Sequence, residues 1–181
     1  MPMLSVHAFI GALVALAGAG GAAAVPDSAA ARHHPVGPEV TTVKVAGHGV
    51  DDLKNAIVHW KTPTPTGMVQ QSTEVVELEG NLRGRVLYHV TSVFDFVNGT
   101  LVNTGDQVYS GTIAGSLPVM IHDDQFRFEV NLTTGAETGR VYFLNHIAGP
   151  KVRCRLDVTG TGSNSDGNPT FDYRGECTFR D

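Results

Sequence analysis

The most informative reactive side chains are the only two cysteines, Cys154 and Cys177. They lie in two alternating runs, KVRCRLDV and TFDYRGECTF, which are joined by TGSNSDGNP, a segment of turn-forming residues. If the two runs pair as an antiparallel hairpin with Cys154 opposite Cys177, all other pairs follow. This register also places opposite charges together on the other face: Arg155 with Glu176, and Asp157 with Arg174.

We interpret the two cysteines as a structural disulfide, which requires an oxidising compartment. They share their face of the hairpin with apolar side chains, and such surroundings disfavour the thiolate that a catalytic cysteine needs. A disulfide that closes a loop of this length stabilises a fold by about 3 kcal/mol. Two buried free thiols, or a metal site completed by ligands from elsewhere, are the alternative interpretations.

Two other clusters have the residue types of metal ligands. The carboxylates of His122-Asp123-Asp124 could hold a hard cation, but Asp-Asp between two short strands is also typical of a turn, which we predict here. His33-His34 has no partner ligands at metal-site spacing, so we assign it to a solvated tail. The sequence therefore predicts no metal site and no cofactor.

Motifs of known enzyme classes are not found. The chain has no GxSxG elbow, no HExxH helix, no P-loop and no dinucleotide fingerprint. His89 and Asp95 share a strand face, but at about 3.3 Å per residue they lie roughly 20 Å apart and cannot act as an acid–base pair. Whether the protein is an enzyme stays open, and its catalytic residues are unknown.

These side chains must be positioned by β-strands, because apolar and polar residues alternate in most runs from Thr73 onwards. The economical fold is a single all-β domain, an antiparallel barrel of about eight strands, with a sandwich or calycin-like barrel as the alternative. DDLKNA (51–56) is expected to form one helical turn, and TPTPTG (62–67) a turn or connector.

Alternation also predicts which side chains face the interior. The inward positions of the two clearest strands are Val86, Tyr88, Val90, Ser92, Phe94 and Phe96, and Phe126, Phe128 and Val130. The polar groups expected on or near the inward face are Tyr88, Ser92, Asn145 and Tyr173. They are candidate ligand-binding residues, and the alternative is that they are hydrogen-bonded within a filled core.

The N-terminal region predicts export. Ala8 to Val25 is apolar or small throughout, and Ala22-Ala23-Ala24 suits a signal peptidase. We therefore expect a signal peptide at 1–24, a flexible tether at 25–39 and a barrel domain at 40–181. A secreted or extracytoplasmic protein with no membrane contact after cleavage follows, and a retained anchor is the alternative.

Composition and charge indicate which classes of binding partner to expect. The 181 residues carry a net charge of −5, which gives no reason to expect nucleic acid. Asn98-Gly99-Thr100 and Asn131-Leu132-Thr133 are glycosylation acceptors if the source glycosylates secreted proteins. Exposed sheet edges could pair between chains, so the oligomeric state is left open.

One segment resembles a known superfamily. ELEGNLRGRVLYHV (77–90), followed by FDFVNGTLVNTGDQVYSGTIAG, is similar to the strand–turn–strand region of the allene-oxide-cyclase-like barrels, which include the plant dirigent proteins. The resemblance covers Glu77 to Phe143 and centres on the step Gly80–Gly84. It implies an eight-stranded barrel with a ligand-sized interior, and members guide cyclisation or coupling of apolar intermediates. None of the catalytic residues of those plant proteins has a counterpart here.

Two functional hypotheses follow. In the first, the barrel binds or steers a small hydrophobic molecule, with cyclase-like or dirigent-like chemistry if it is an enzyme. In the second, it is a non-catalytic secreted domain that acts through its surface, on another protein or at a cell envelope. An internal void of roughly 300 Å³ or more favours the first hypothesis, and a filled core favours the second.

Overall fold

The computed structural model describes residues 39–180. Our predictions of a signal peptide at 1–24, of the tether up to residue 38 and of a solvated His33-His34 lie outside this range. Within it, no helix has the length and hydrophobicity needed to span a bilayer. The strands are β1 (Val40–Asp51), β2 (Ile57–Thr64), β3 (Gly67–Gly80), β4 (Leu82–Asp95), β5 (Thr100–Ile113), β6 (Val119–Asp123), β7 (Arg127–Asn131), β8 (Glu137–Phe143), β9 (Asn145–Ala148), β10 (Lys151–Ser163) and β11 (Pro169–Arg180).

Eight of these strands close into an antiparallel barrel, in the order β1, β3, β4, β5, β7, β8, β10 and β11, and β11 pairs with β1 to complete the ring. The remaining strands extend the wall: β2 pairs with β3, β6 with β5, and β9 with β6. The predicted all-β barrel is confirmed. Closure leaves each of the eight ring strands with two neighbouring strands.

One end of the barrel is filled by large apolar side chains. The most deeply buried of them are Leu82, Tyr109, Ile113, Ile121 and Phe143. The hydroxyl of Tyr173 accepts a hydrogen bond from Leu82 N at 2.7 Å and donates to Glu79 O at 2.9 Å. It therefore fastens β11 to the turn between β3 and β4, and we call this end of the barrel the closed end.

The C-terminal hairpin has the predicted register, with Cys154 opposite Cys177. The two cysteines form a disulfide and are fully buried at the closed end. The predicted pairs of opposite charge also lie across from each other. However, the carboxylate of Asp157 forms its ion pair with Arg140 of β8, at 3.5 Å, rather than with its hairpin partner Arg174.

Three local predictions need correction or adjustment. Phe96 was expected to face inward, but β4 ends at Asp95 and the Phe96 side chain in the following turn is 60% exposed. Asn145 was also expected near the interior, but the chain leaves the β8 strand after Phe143 and Asn145 is exposed on β9. TPTPTG contributes its first three residues to β2, since Pro63 lies in an edge strand. The helical turn expected in DDLKNA is present as a 3₁₀ turn, Leu53–Asn55.

Candidate functional site: a cavity inside the barrel

The half of the barrel away from the closed end encloses a cavity of about 400 Å³. It extends from Phe143 and Tyr173 towards the end of the barrel formed by Leu53, Gly135 and Pro169, which we call the mouth. The interior is therefore not filled along its whole length. The volume exceeds roughly 300 Å³, the lower limit for ordinary small-molecule sites.

Most of the cavity wall is apolar. Its aliphatic and aromatic side chains point inward from six barrel strands: Val76, Leu78, Val86, Phe94, Phe128, Val141, Leu156, Val158 and Phe171. Glycine makes room for two of the rings, since a Cβ on Gly49 would overlap Phe171 and a Cβ on Gly139 would overlap Phe128. Such a wall favours a ligand with an apolar body.

A group of polar side chains interrupts this wall. It consists of Asp51 at the end of β1, Gln70 and Glu74 on β3, Tyr88 on β4, Asn103 and Gln107 on β5, and Glu137 at the start of β8. Glu74 is only 7% exposed and Tyr88 only 5% exposed. Buried polar groups usually have hydrogen-bond partners, so a set of them facing an open space is a typical feature of a binding site.

Two carboxyl groups of this set, those of Asp51 and Glu137, have raised pKa values. Burial, with repulsion from Glu74 next in importance, raises the pKa of Asp51 to about 8. Burial also raises the pKa of Glu137. The pKa of the Tyr88 hydroxyl is raised by burial and by the nearby carboxylates, with Glu74 the strongest of them. Shifts of this kind cluster at functional sites, although structural groups show them too.

Two of the neighbouring hydrogen bonds fix the polar side chains in place. The Ser72 hydroxyl donates to Glu74 Oε1 at 2.6 Å, and Gln107 Nε2 donates to Asp123 Oδ2 at 2.8 Å. In contrast, Asp51 Oδ1 and Asn103 Oδ1 are buried without a hydrogen-bond partner among the described residues. Two acceptors are thus held inside the barrel with their hydrogen-bonding capacity unused.

The four predicted ligand-binding residues have different positions. Tyr88 and Tyr173 both line the cavity, but the Tyr173 hydroxyl is already bonded to backbone atoms at the closed end. Ser92 is buried on β4 but is not part of the cavity wall, and Asn145 lies outside the barrel. The structure therefore brings together Tyr88 and Tyr173, while Ser92 and Asn145 do not join them.

Sequence reasoning missed the carboxyl groups. In TEVVELE, Glu74 alternates with Val76 and Leu78, and this pattern could have placed a charge on the apolar face. Glu137 of β8 comes close to Asp51 of β1 only through closure of the barrel, because these strands are far apart in sequence. No local motif could have identified them.

Asp123 of the cluster His122-Asp123-Asp124 is hydrogen-bonded within the protein. Asp123 is fully buried, and its carboxylate accepts hydrogen bonds from Gln107 Nε2, Gln125 N and Tyr142 N at 2.7–2.8 Å. It thereby joins β6 to β5 and β8. Among residues 39–180, no group of three or more His, Cys, Asp or Glu side chains has the arrangement of a metal site.

Both glycosylation tripeptides lie at the mouth end of the barrel. Asn98 is exposed in the turn between β4 and β5, and Asn131 is exposed at the end of β7. The two turns are hydrogen-bonded to each other, since Leu132 N donates to Gly99 O at 2.8 Å. The two asparagines are therefore accessible near the entrance to the cavity.

The chain was also compared with known proteins. It matches no family profile, no curated protein and no solved structure.

Proposed function

We propose that this protein is a secreted β-barrel that binds a small, largely apolar molecule in its internal cavity. The observation that carries the proposal is the cavity itself, about 400 Å³ in volume, with a mainly apolar wall and a few inward polar groups. An unfilled interior lowers stability, because side chains around a cavity lose packing contacts. A protein that acts only through its surface would gain nothing from such a cavity.

Two further features support the secreted setting. The buried Cys154–Cys177 disulfide is consistent with an extracytoplasmic compartment. The predicted signal peptide at 1–24 agrees with this compartment.

The resemblance to allene-oxide-cyclase-like barrels supports a ligand inside the barrel, because members of that superfamily act on apolar intermediates.

A fluorescence titration with N-phenyl-1-naphthylamine, an uncharged apolar dye, tests the proposal. Val158 faces the cavity from β10, and its neighbour Thr159 is exposed on the outside of the same strand. Val158→Phe should reduce dye binding at least about ten-fold by filling the cavity, whereas Thr159→Phe adds the same ring outside and should leave binding unchanged. Equal dye binding by the two folded variants would remove the cavity as the binding site.

A second candidate function is acid–base catalysis on the bound molecule, of the cyclase or isomerase type. It is favoured by Asp51, whose pKa of about 8 makes it a carboxylic acid that still holds its proton at neutral pH, next to the buried Glu74. If the protein is such an enzyme, Asp51→Asn should abolish turnover of its substrate while ligand binding persists. Loss of binding and turnover in parallel would assign Asp51 to recognition alone.

A further inference from the structure

The charge of the cavity wall has one sign. Asp51, Glu74 and Glu137 all line the cavity, and no Lys, Arg or His side chain of residues 39–180 is part of its wall. The ion pairs of the described chain lie elsewhere, on exposed surfaces. The carboxyl groups inside the barrel therefore have no cation of the chain beside them in that wall.

Two of the acceptors in the cavity wall also lack a donor from residues 39–180. Asp51 Oδ1 and Asn103 Oδ1 are buried acceptors without a donor among the described residues. Glu74 is more than nine-tenths buried, accepts a hydrogen bond from Ser72 at Oε1 and has Asp51 as its hydrogen-bonding neighbour. Burying an acceptor without a partner destabilises the empty protein, so a ligand that brings donors to these oxygens gains affinity.

Aromatic rings complete the site. Tyr88, Phe94, Phe128 and Phe171 line the same cavity as the carboxyl groups. The rings of Tyr88 and Phe128 meet edge to face, with their centroids 6.3 Å apart. Faces of aromatic rings attract organic cations, and the attraction grows where water is excluded.

We infer that the molecule bound in this cavity is a hydrophobic amine, that is, an apolar body with a protonated amino group directed at Asp51, Glu74 and Asn103. This inference rests on the proposed function and specifies its ligand class. An ammonium group has three N–H donors and a positive charge, which complements a wall that carries three carboxyl groups and, among the described residues, no cation. A bare metal ion is a poorer match, since no metal-like cluster of ligands occurs in the described chain.

The inference is tested by a matched series of probes with one apolar chain and three head groups: octylamine, 1-octanol and octanoate. Affinities of the full-length protein are measured by calorimetry at pH 9, where octylamine is still protonated and Asp51 is mostly ionised. We expect octylamine to bind at least about ten-fold more tightly than 1-octanol, and octanoate to bind most weakly.

Glu74→Gln identifies the group responsible. The amide keeps an oxygen for the Ser72 hydroxyl but removes the charge, and we expect it to reduce the preference for octylamine over 1-octanol about ten-fold. Glu79→Gln, an exposed position on the same strand, is the matched control and should leave the preference unchanged. Unchanged affinity for 1-octanol shows that a variant is folded. If Glu74→Gln does not fold, Glu137→Gln takes its place.

The outcomes separate the two levels of the proposal. Equal binding of octylamine and 1-octanol, or tight binding of octanoate, overturns the amine assignment and leaves a cavity for neutral or acidic apolar molecules. An unchanged preference in Glu74→Gln also overturns it. If none of the three probes and no apolar dye binds, the proposed function itself fails.

Discussion

Asp51 at the end of β1 and Glu74 on β3 are close enough inside the barrel for the charge of Glu74 to oppose ionisation of Asp51. Together with burial, this repulsion raises the pKa of Asp51 from 3.8 to about 8. Glu137, Asp52 and Tyr88 face the same region, and the first two add to the repulsion. The folded protein thus retains a proton on this carboxyl group over a pH range in which the unfolded chain has lost it.

This difference predicts how stability depends on pH. Between about pH 4 and 8 the folded state binds more protons than the unfolded state, so the contribution of Asp51 to the free energy of unfolding decreases as pH rises through this range. Asp51→Asn should remove that decrease and make the protein more stable than wild type at pH 9, by at least about 1 kcal/mol. Urea unfolding at pH 5, 7 and 9 measures the effect.

The exposed Asp124→Asn exchange is the control for the pH experiment, because its side chain is exposed in the bend that follows β6. It should leave the difference in stability between pH 5 and pH 9 close to that of wild type. Identical pH profiles for wild type and Asp51→Asn would show that Asp51 ionises normally in the folded state.

The two inward tyrosines should respond differently to loss of their hydroxyl groups. Tyr173→Phe leaves the buried N–H of Leu82 without its acceptor and should lower the free energy of unfolding by about 1–3 kcal/mol. Tyr88 has no such bond to the backbone among the described residues and lines the cavity, so Tyr88→Phe should change probe affinity more than stability. Thermal melts and dye titrations of both variants distinguish the roles, and equal effects of the two variants on both measurements would contradict them.

The disulfide should contribute to stability and not to binding. It lies at the closed end, and neither cysteine is part of the cavity wall. The double variant Cys154→Ala/Cys177→Ala should lose about 3 kcal/mol of stability, because its unfolded chain is no longer constrained. Dye affinity at a temperature where the variant is folded should equal that of wild type, and a large loss would place the disulfide in the site.

Sequence alone predicted the parts of this protein that depend on local patterns. The hairpin register followed from Cys154 and Cys177 in two alternating runs, and alternation placed Tyr88 on the inward face. Alternation gave the wrong position for Phe96 and Asn145. At Phe96 the strand has ended, and at Asn145 the chain has left the barrel, although the alternating pattern continues in the sequence. The carboxyl groups of the cavity were missed because their proximity is created by ring closure, which pairs β1 with β3 and β8 with β10. Local spacing carries no information about such distant contacts.

The buried carboxylate of Asp123 should contribute strongly to stability, because it links three strands of the wall beside the cavity. Its two oxygens accept hydrogen bonds from Gln107, from Gln125 N and from Tyr142 N, and none of it is exposed to solvent. Asp123→Ala would leave three donors without an acceptor, and we expect a loss of about 3 kcal/mol or more in the free energy of unfolding. The exposed neighbour Asp124, changed to alanine, should cost less than about 0.5 kcal/mol. Similar losses in both variants would mean that this segment acts only as a turn. A large loss for Asp123→Ala alone would establish the carboxylate as the bridge that fixes Gln107 at the edge of the cavity.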